Sequence, residues 1–174
     1  MRDAAIIAIG MSLLLLQGNL YRFTAPLWSL GITPNFVLPL VIFTGIRESA
    51  MARGALLAFG LGYATDLFAS APVGLFTFTS VAIWWMAHVT SLRVSAQNVL
   101  TQVFLAFIFS LVQTAFVLTL LAIFGTDPQR PLEMFTVALP QALATALFSP
   151  LIFKLGHRLY QGAGAPLRSQ GGQS

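Results

Sequence analysis

Long stretches without a charged residue divide this sequence, and they constrain its fold more than any other feature. They cover residues 4–21, 23–46, 54–65, 67–92, 94–126 and 134–153. Because an α-helix rises about 1.5 Å per residue, about 20 apolar residues are needed to cross the hydrocarbon core of a bilayer. Four of the stretches clearly meet this requirement, and the second and third are shorter or irregular. The pattern predicts an all-α integral membrane protein.

The composition supports lipid as the main solvent. Hydrophobic residues make up 57% of the chain and charged residues 8%, and the mean hydropathy is +0.83. Soluble domains carry about 25% charged residues, and disordered chains combine low hydrophobicity with high charge, so both classes are excluded. The chain has no cysteine, which excludes a disulfide framework, a thiolate metal site and a cysteine nucleophile.

We predict six transmembrane helices in one membrane domain, residues 1–160, followed by a disordered tail, residues 161–174. Prolines suit the first position of a helix, and the helices are expected at about 4–21, 34–46, 50–68, 72–92, 98–125 and 131–160, with Arg47 as an alternative start for the third and Ser95 for the fifth. Pro39 and Pro140 should bend the second and sixth helices. The second helix is too short to cross alone, so residues 23–33 are expected to dip into the membrane beside it.

The basic residues predict the orientation of these helices. With six crossings both termini share one side, and seven basic residues fall there: Arg2, Arg47, Arg53, Arg93, Lys154, Arg158 and Arg168. Arg22 and Arg130 fall on the other side. Basic residues are enriched in cytoplasmic loops, so both termini are predicted to be cytoplasmic. The net charge of +4 is therefore an orientation signal, and no nucleic-acid partner is expected.

Asp66 stands out as a carboxylate deep in an apolar stretch. Such residues are costly in a membrane and are functional candidates. It lies near the C-terminal end of the third helix, where the helix dipole disfavours an anion. The free N–H groups near Val73 and Gly74, or the cation of Arg22, could offset this cost. Asp66 could pin the turn between the third and fourth helices, belong to a proton or substrate site, or contact a partner.

Other polar residues in the apolar stretches are interpreted as packing features. His88 is expected to hydrogen-bond a neighbouring helix or to lie at the interface, and Gln113, Thr114 and Gln141 are expected to bond between helices. Gly54, Ala58 and Gly62 repeat small residues at every fourth position, which allows close helix contact. Motifs of hydrolases, metalloproteases and nucleotide-binding loops are absent from the sequence. We therefore expect no enzymatic activity, catalytic residue, metal or cofactor.

Three groups of residues resemble one known family. Pro34-Asn35 precedes an apolar run, and Arg53-Gly54 is followed by Phe59, Gly60 and Gly62. The most specific string is Gly62-Tyr-Ala-Thr-Asp66-Leu-Phe-Ala-Ser-Ala-Pro72-Val-Gly74. Together these motifs, over nearly the whole chain, resemble the rod shape-determining protein MreD family.

The resemblance implies a component of the bacterial cell-elongation (rod) complex in the cytoplasmic membrane. It implies a fold similar to the six-helix substrate-binding subunits of energy-coupling-factor transporters. It also implies binding to MreC, support of the glycosyltransferase RodA and a class B penicillin-binding transpeptidase in peptidoglycan synthesis, and an indirect link to MreB. Asn35 stands where the family frequently has Asp.

The favoured hypothesis is a non-catalytic membrane scaffold that determines rod shape. Its surface should include an uncharged groove, built from small and aromatic residues, for the single transmembrane helix of a partner. A vitamin-like ligand-binding subunit of a membrane transporter is the alternative, because it would share the architecture. An intramembrane enzyme that depends on Asp66 is a third hypothesis.

Overall fold

A computed structural model of the chain describes residues 2–23, 34–48, 50–69, 72–91, 98–124 and 130–162. Every regular element in these ranges is an α-helix, which confirms the all-α prediction. The six helices are α1 (Arg2–Phe23), α2 (Val37–Arg47), α3 (Met51–Phe68), α4 (Leu75–Ser91), α5 (Val99–Phe124) and α6 (Arg130–Gly162). Their order matches the six predicted helices.

Several helix ends differ from the prediction. The second and fourth helices begin at Val37 and Leu75 rather than at Pro34 and Pro72. Each proline lies three residues before the first residue of its helix. α6 begins one residue before Pro131 and continues through Gly162, two residues into the segment assigned to the tail. The rest of the predicted tail, and residues 24–33 of the stretch expected to dip into the membrane, lie outside the described residues.

The short helix α2 forms the centre of the molecule. It has 11 residues, and those from Val37 to Gly45 are all buried. At about 1.5 Å per residue it is only about 16 Å long, yet it contacts each of the other five helices. Pro39 lies in its first turn, where a missing N–H breaks no helical hydrogen bond, so there is no reason for a bend.

The core surrounds α2 on every side. Its buried side chains come from all six helices and include Ile6, Leu14, Leu40, Ile42, Leu61, Ile83, Trp84, Phe109 and Phe153. Phe43 of α2 packs edge-to-face on Phe153 of α6, with ring centroids 5.7 Å apart. α2 is therefore a buried central helix, and the longer helices pack around it.

α6 continues through two prolines, Pro140 and Pro150. Pro150 has no N–H to offer the carbonyl of Ala146, one turn earlier. The hydroxyl of Ser149 donates to that carbonyl instead, at 2.8 Å. A side chain thus replaces the backbone bond that the proline removes. The bend expected at Pro140 stays a prediction.

The outer faces of the helices are apolar. Leu139, Leu143, Leu147, Leu151 and Leu155 follow one another at every fourth position of α6, and all five are exposed. α5 exposes Leu100, Phe104 and Ile123 in the same way. Within the described residues, two helical segments, Val99–Phe124 and Ala138–Arg158, are long and apolar enough to cross a membrane, and most residues of their apolar windows are not buried.

Candidate functional site: the Asp66 corner between two helices

Asp66 joins the end of α3 to the beginning of α4. Its carboxylate is 3% exposed. It accepts hydrogen bonds from the backbone N–H groups of Gly74 at 3.0 Å, Phe76 at 2.8 Å and Thr77 at 2.9 Å. The hydroxyl of Thr77 donates a fourth bond to the same carboxylate. The predicted capping of the fourth helix by Asp66 is confirmed, although two of the three N–H groups lie further along the chain than expected.

The turn before α4 explains how one carboxylate reaches so many donors. Gly74 has φ +99°, a left-handed conformation that side chains with a Cβ disfavour. The N–H of Leu75 donates to the carbonyl of Pro72 at 3.2 Å, and that of Phe78 to Gly74 at 2.9 Å. Asp66 takes the two N–H groups between them. Four N–H groups precede the first internal bond of α4, from Phe78 to Gly74, and all four have acceptors: those of Gly74, Leu75, Phe76 and Thr77.

Gly62 brings the two helices into contact beside this cap. A Cβ built on Gly62 would lie 2.7 Å from the carbonyl oxygen of Phe76 and 2.7 Å from Cα of Thr77. Both of these atoms belong to the backbone of α4. The glycine thus allows α3 and α4 to approach closely next to the residues that donate to Asp66. Four of the residues singled out in the sequence, Gly62, Asp66, Pro72 and Gly74, meet at this corner.

The chemistry of this corner is that of an anion held by dipoles. The positive end of the α4 dipole and three backbone donors offset the unfavourable position of Asp66 at the end of α3. No cation is needed for this balance. The alternative partner, Arg22, has its side chain outside the part of the chain that the structure describes. These contacts favour a helix-joining role for Asp66 over a proton or substrate site.

Asn35 organises a second polar cluster, at the N-terminal end of α2. Its Oδ1 accepts from the N–H groups of Val37 and Leu38, both at 3.2 Å, so the Asn35 side chain caps the start of α2. Its Nδ2 donates to Oε1 of Gln113 in α5 at 3.2 Å, and its N–H to Oγ1 of Thr145 in α6 at 3.0 Å. Pro34 lies half-buried beside it.

Further polar contacts confirm one prediction for this cluster and contradict another. Gln17 of α1 accepts from the N–H of Phe36 at 3.3 Å, so four helices meet here. Gln113 bonds between helices as predicted. The hydroxyl of Thr114 instead donates to the carbonyl of Ser110 in its own helix, because a threonine hydroxyl easily reaches the carbonyl one turn back.

Arg53 and Gly54 lie at the other end of α3, far along the helix from Asp66. Arg53 is exposed in the first turn, and Gly54 is buried. A Cβ on Gly54 would lie 2.6 Å from Nε1 of Trp84, so this glycine makes room for the indole. His88 stacks on the same indole at 5.5 Å, and its Nδ1 lies 3.1 Å from the carbonyl oxygen of Gly45 in α2. The predicted helix-to-helix bond of His88 is confirmed.

Phe59 does not join either polar cluster. It is exposed on the outer face of α3, and its ring stacks on Tyr63 with centroids 6.4 Å apart. The resemblance motif therefore mixes two kinds of position. Gly54, Gly62 and Asp66 are buried where helices meet, whereas Gly60 has open space around it and Phe59 faces outward.

An apolar groove lies between α3 and α4, near the end of α3 opposite Asp66. Its volume is about 450 Å³, and no charged side chain lines it: the lining residues are Met51, Ala52, Ala55, Phe78, Val81, Ala82, Trp84 and Trp85. Three alanines bring backbone near the surface, and the aromatic rings and Met51 flank them. Small and aromatic residues therefore line this groove, and its use by a partner's helix stays a prediction.

Sequence reasoning missed several residues of these sites. Three of them bond in the two polar clusters: Thr77 donates to Asp66, Gln17 accepts from Phe36, and Thr145 accepts from Asn35. The fourth, Trp84, occupies the space beside Gly54. A signal was present for Gln17, since an amide inside a long apolar stretch needs a partner in lipid. Thr77 lies one turn after Gly74, where a hydroxyl can supplement a cap. In the described ranges, no three His, Asp or Glu side chains are grouped so as to hold a metal ion.

Comparisons of the chain with protein-family models, with curated proteins and with solved structures found no match.

Proposed function

We propose that this protein is a multi-pass membrane scaffold of the bacterial cell-elongation complex, and that it acts by binding a partner's transmembrane helix rather than by catalysis. The observation that carries the proposal is the uncharged groove between α3 and α4. The resemblance of the Gly62–Gly74 string to the MreD family supplies the identity of the partner, an MreC-type protein.

The exposed apolar faces support the membrane location. Monomeric soluble proteins rarely expose contiguous apolar patches beyond a few hundred Å², whereas the exposed leucines of α6 run over five successive turns. Lipid would solvate this surface. We propose that the chain crosses the inner membrane of a bacterium six times, which puts seven of the nine basic residues on one side. The positive-inside rule favours the cytoplasm for that side, which carries both termini.

The lining of the groove supports a helix as its occupant. Between membrane helices there is no hydrophobic driving force, so association depends on close packing at small residues. Ala52, Ala55 and Ala82 offer such a surface, and Trp85 and Phe78 form walls that would contact the sides of a helix. About 450 Å³ is enough for a few side chains of the partner, so we propose that one face of its helix enters the groove.

The Asp66 corner supports the same proposal from the opposite end. Four hydrogen bonds and a close approach at Gly62 hold α3 and α4 in a fixed relation. A groove formed by two helices keeps its shape only if the helices do not separate. We infer that the residues of the family-like motif set the geometry of the groove from a distance and do not themselves contact the partner.

Co-purification tests the proposal. An affinity-tagged MreC-type partner is expected to retain the wild-type protein in detergent. Replacing Ala55 and Ala82 by Phe should fill the groove and abolish retention. Leu56→Phe is the matched control, because Leu56 is 72% exposed outside the groove; this variant should be retained like the wild type. Retention of the filled-groove variant would contradict the proposal.

The transporter-type alternative has a candidate site in the Asn35 cluster, where four helices present amide and hydroxyl groups. Those groups already bond to one another and to the start of α2, which favours the scaffold. A thermal-shift screen with water-soluble vitamins separates the two functions, since a specific ligand raises the melting temperature by mass action. A rise with one vitamin that Asn35→Ala removes would support the transporter alternative.

A further inference from the structure

Three basic residues lie within about one helical turn of the place where α2 ends against α6. Arg47 is exposed in the last turn of α2, and its Nη2 lies 2.6 Å from Nε2 of His157 in α6. The two helices are close here, because a Cβ on Gly156 would lie 2.7 Å from the ring of Phe43. Arg47 is therefore held beside α6 and does not extend freely into solvent.

Lys154 and Arg158 complete this basic patch. Both are exposed on α6, and they are four residues apart, which places them on one face of the helix. His157, which holds Arg47, follows Lys154 by three residues and directly precedes Arg158, so it lies within one helical turn of both. Glu48 follows Arg47 but is 5% exposed, and even with its full negative charge the patch stays positive.

The basic patch continues into an apolar stripe. Leu151 and Leu155 are exposed and lie three residues before Lys154 and Arg158 respectively, so each leucine neighbours a cation on the helix surface. The same face extends through Leu147, Leu143 and Leu139 toward the other end of α6. A cationic surface thus lies directly above an apolar one, within reach of a single amphiphilic molecule.

We propose that Arg47, Lys154 and Arg158 bind the phosphate headgroup of an anionic phospholipid, whose acyl chain lies along the leucine stripe of α6. The inference rests on the proposed membrane location and orientation, which put this end of α6 at the cytoplasmic leaflet. Anionic lipids give that surface its negative potential, and nearby Lys and Arg residues are attracted to it. A guanidinium fixed by His157 offers directed donors to phosphate oxygens.

The test uses the full-length protein purified in a zwitterionic detergent, with dioleoylphosphatidylglycerol as the probe and dioleoylphosphatidylcholine as its neutral counterpart. Native mass spectrometry measures the bound lipid. The wild type is expected to bind phosphatidylglycerol at least tenfold more tightly than phosphatidylcholine. Loss of two cations in Lys154→Gln/Arg158→Gln should weaken phosphatidylglycerol binding by about 30-fold, at about fivefold per cation.

Two controls separate a defined site from general attraction. Arg2→Gln/Arg168→Gln removes the same charge elsewhere in the chain and should leave phosphatidylglycerol binding within threefold of the wild type. Lys154→Arg/Arg158→Lys keeps both charges and should also preserve it. Equal losses in the two charge-removing variants would overturn the proposal, as would equal affinities of the wild type for the two lipids.

An inorganic phosphate arm distinguishes a lipid site from a free-phosphate site. Millimolar phosphate is expected to displace little phosphatidylglycerol, because it cannot occupy the leucine stripe; displacement at micromolar phosphate would overturn the lipid assignment. Retention of the variant on the MreC-type partner is measured in parallel. Lys154 and Arg158 lie outside the groove, so the variant should lose lipid binding and keep partner retention. A wild type that retains the partner without preferring phosphatidylglycerol overturns the lipid proposal alone. A wild type that prefers phosphatidylglycerol without retaining the partner overturns the scaffold proposal alone.

Discussion

Asp66→Asn tests the helix-joining role of the carboxylate with the smallest change in shape. Asparagine keeps one acceptor oxygen and replaces the other by an NH₂ group. The best orientation places its oxygen where Oδ2 accepts from Gly74 and Thr77. The NH₂ group then faces the N–H of Phe76, which loses its acceptor. One bond is broken, two donors face each other, and the remaining bonds lose the assistance of a charge.

The magnitude follows from the contacts at the corner. A buried donor left without an acceptor costs about 1–3 kcal/mol, and bonds to a charged acceptor contribute more than neutral ones. We expect Asp66→Asn to lower the free energy of unfolding by about 2–4 kcal/mol. For a chain of this size that corresponds to a decrease in melting temperature of roughly 5–15 °C.

The assay is thermal unfolding in detergent, followed by circular dichroism. Thr65→Ala is the control. Thr65 is adjacent to Asp66, and its hydroxyl donates to the carbonyl of Leu61 in its own helix. This variant should lower the free energy of unfolding by less than about 1 kcal/mol. A double-mutant cycle with Thr77→Val should give a coupling of about 1–3 kcal/mol between residues 66 and 77. A melting temperature of Asp66→Asn within about 2 °C of the wild type would contradict the helix-joining role of Asp66.

Three further substitutions test the packing and capping arguments by the same unfolding assay. Gly62→Ala should lower the free energy of unfolding by about 1–3 kcal/mol, since the added Cβ meets the backbone of α4. Gly60→Ala is the control, because Gly60 has open space around it, and it should be neutral or stabilising. Equal effects of the two variants would contradict the close contact at Gly62. Gly74→Ala should lower the free energy of unfolding by about 1–2 kcal/mol. The positive φ is the cause, because an added Cβ would have no atom within 4 Å. Gly74→Asn should lower it less, and the reverse order would count against backbone strain as the cause. Asn35→Ala should lower the free energy of unfolding by about 2 kcal/mol, because it removes the α2 cap and the bond to Gln113. Asn35→Asp keeps the cap and should lower it less. A larger decrease with Asp than with Ala would contradict the capping role of Asn35.

The sequence was sufficient for locating the helices, and it identified Asp66 as a special position with three alternative roles. Charge-free stretches located all six helices, because each needs a long apolar segment and each connection carries polar residues or prolines. The dipole argument left two candidate partners for Asp66, the start of the fourth helix and Arg22, and the structure shows the first. The details were missed because proline was taken as the first helical residue. At both Pro34 and Pro72 the chain first makes a turn, and a side chain from Asn35 or Asp66 then supplies the acceptors.

The central position of α2 could not be predicted from the sequence, and the reason is physical. In a soluble protein, polar residues mark the outer face of each helix, so their period shows which face is buried. When lipid covers the outside, apolar residues suit both faces and this contrast disappears. Leu56 and Leu57 illustrate the loss, since they are adjacent and chemically identical but 72% and 3% exposed. What remains readable in such a chain are the residues that lipid would penalise, namely Asn35, Asp66 and Gln113, and the glycines that only close packing explains. The structure places Gly62, Asp66, Asn35 and Gln113 at points where helices meet. Polar and small residues are therefore the positions on which sequence-based predictions for this class of protein should concentrate.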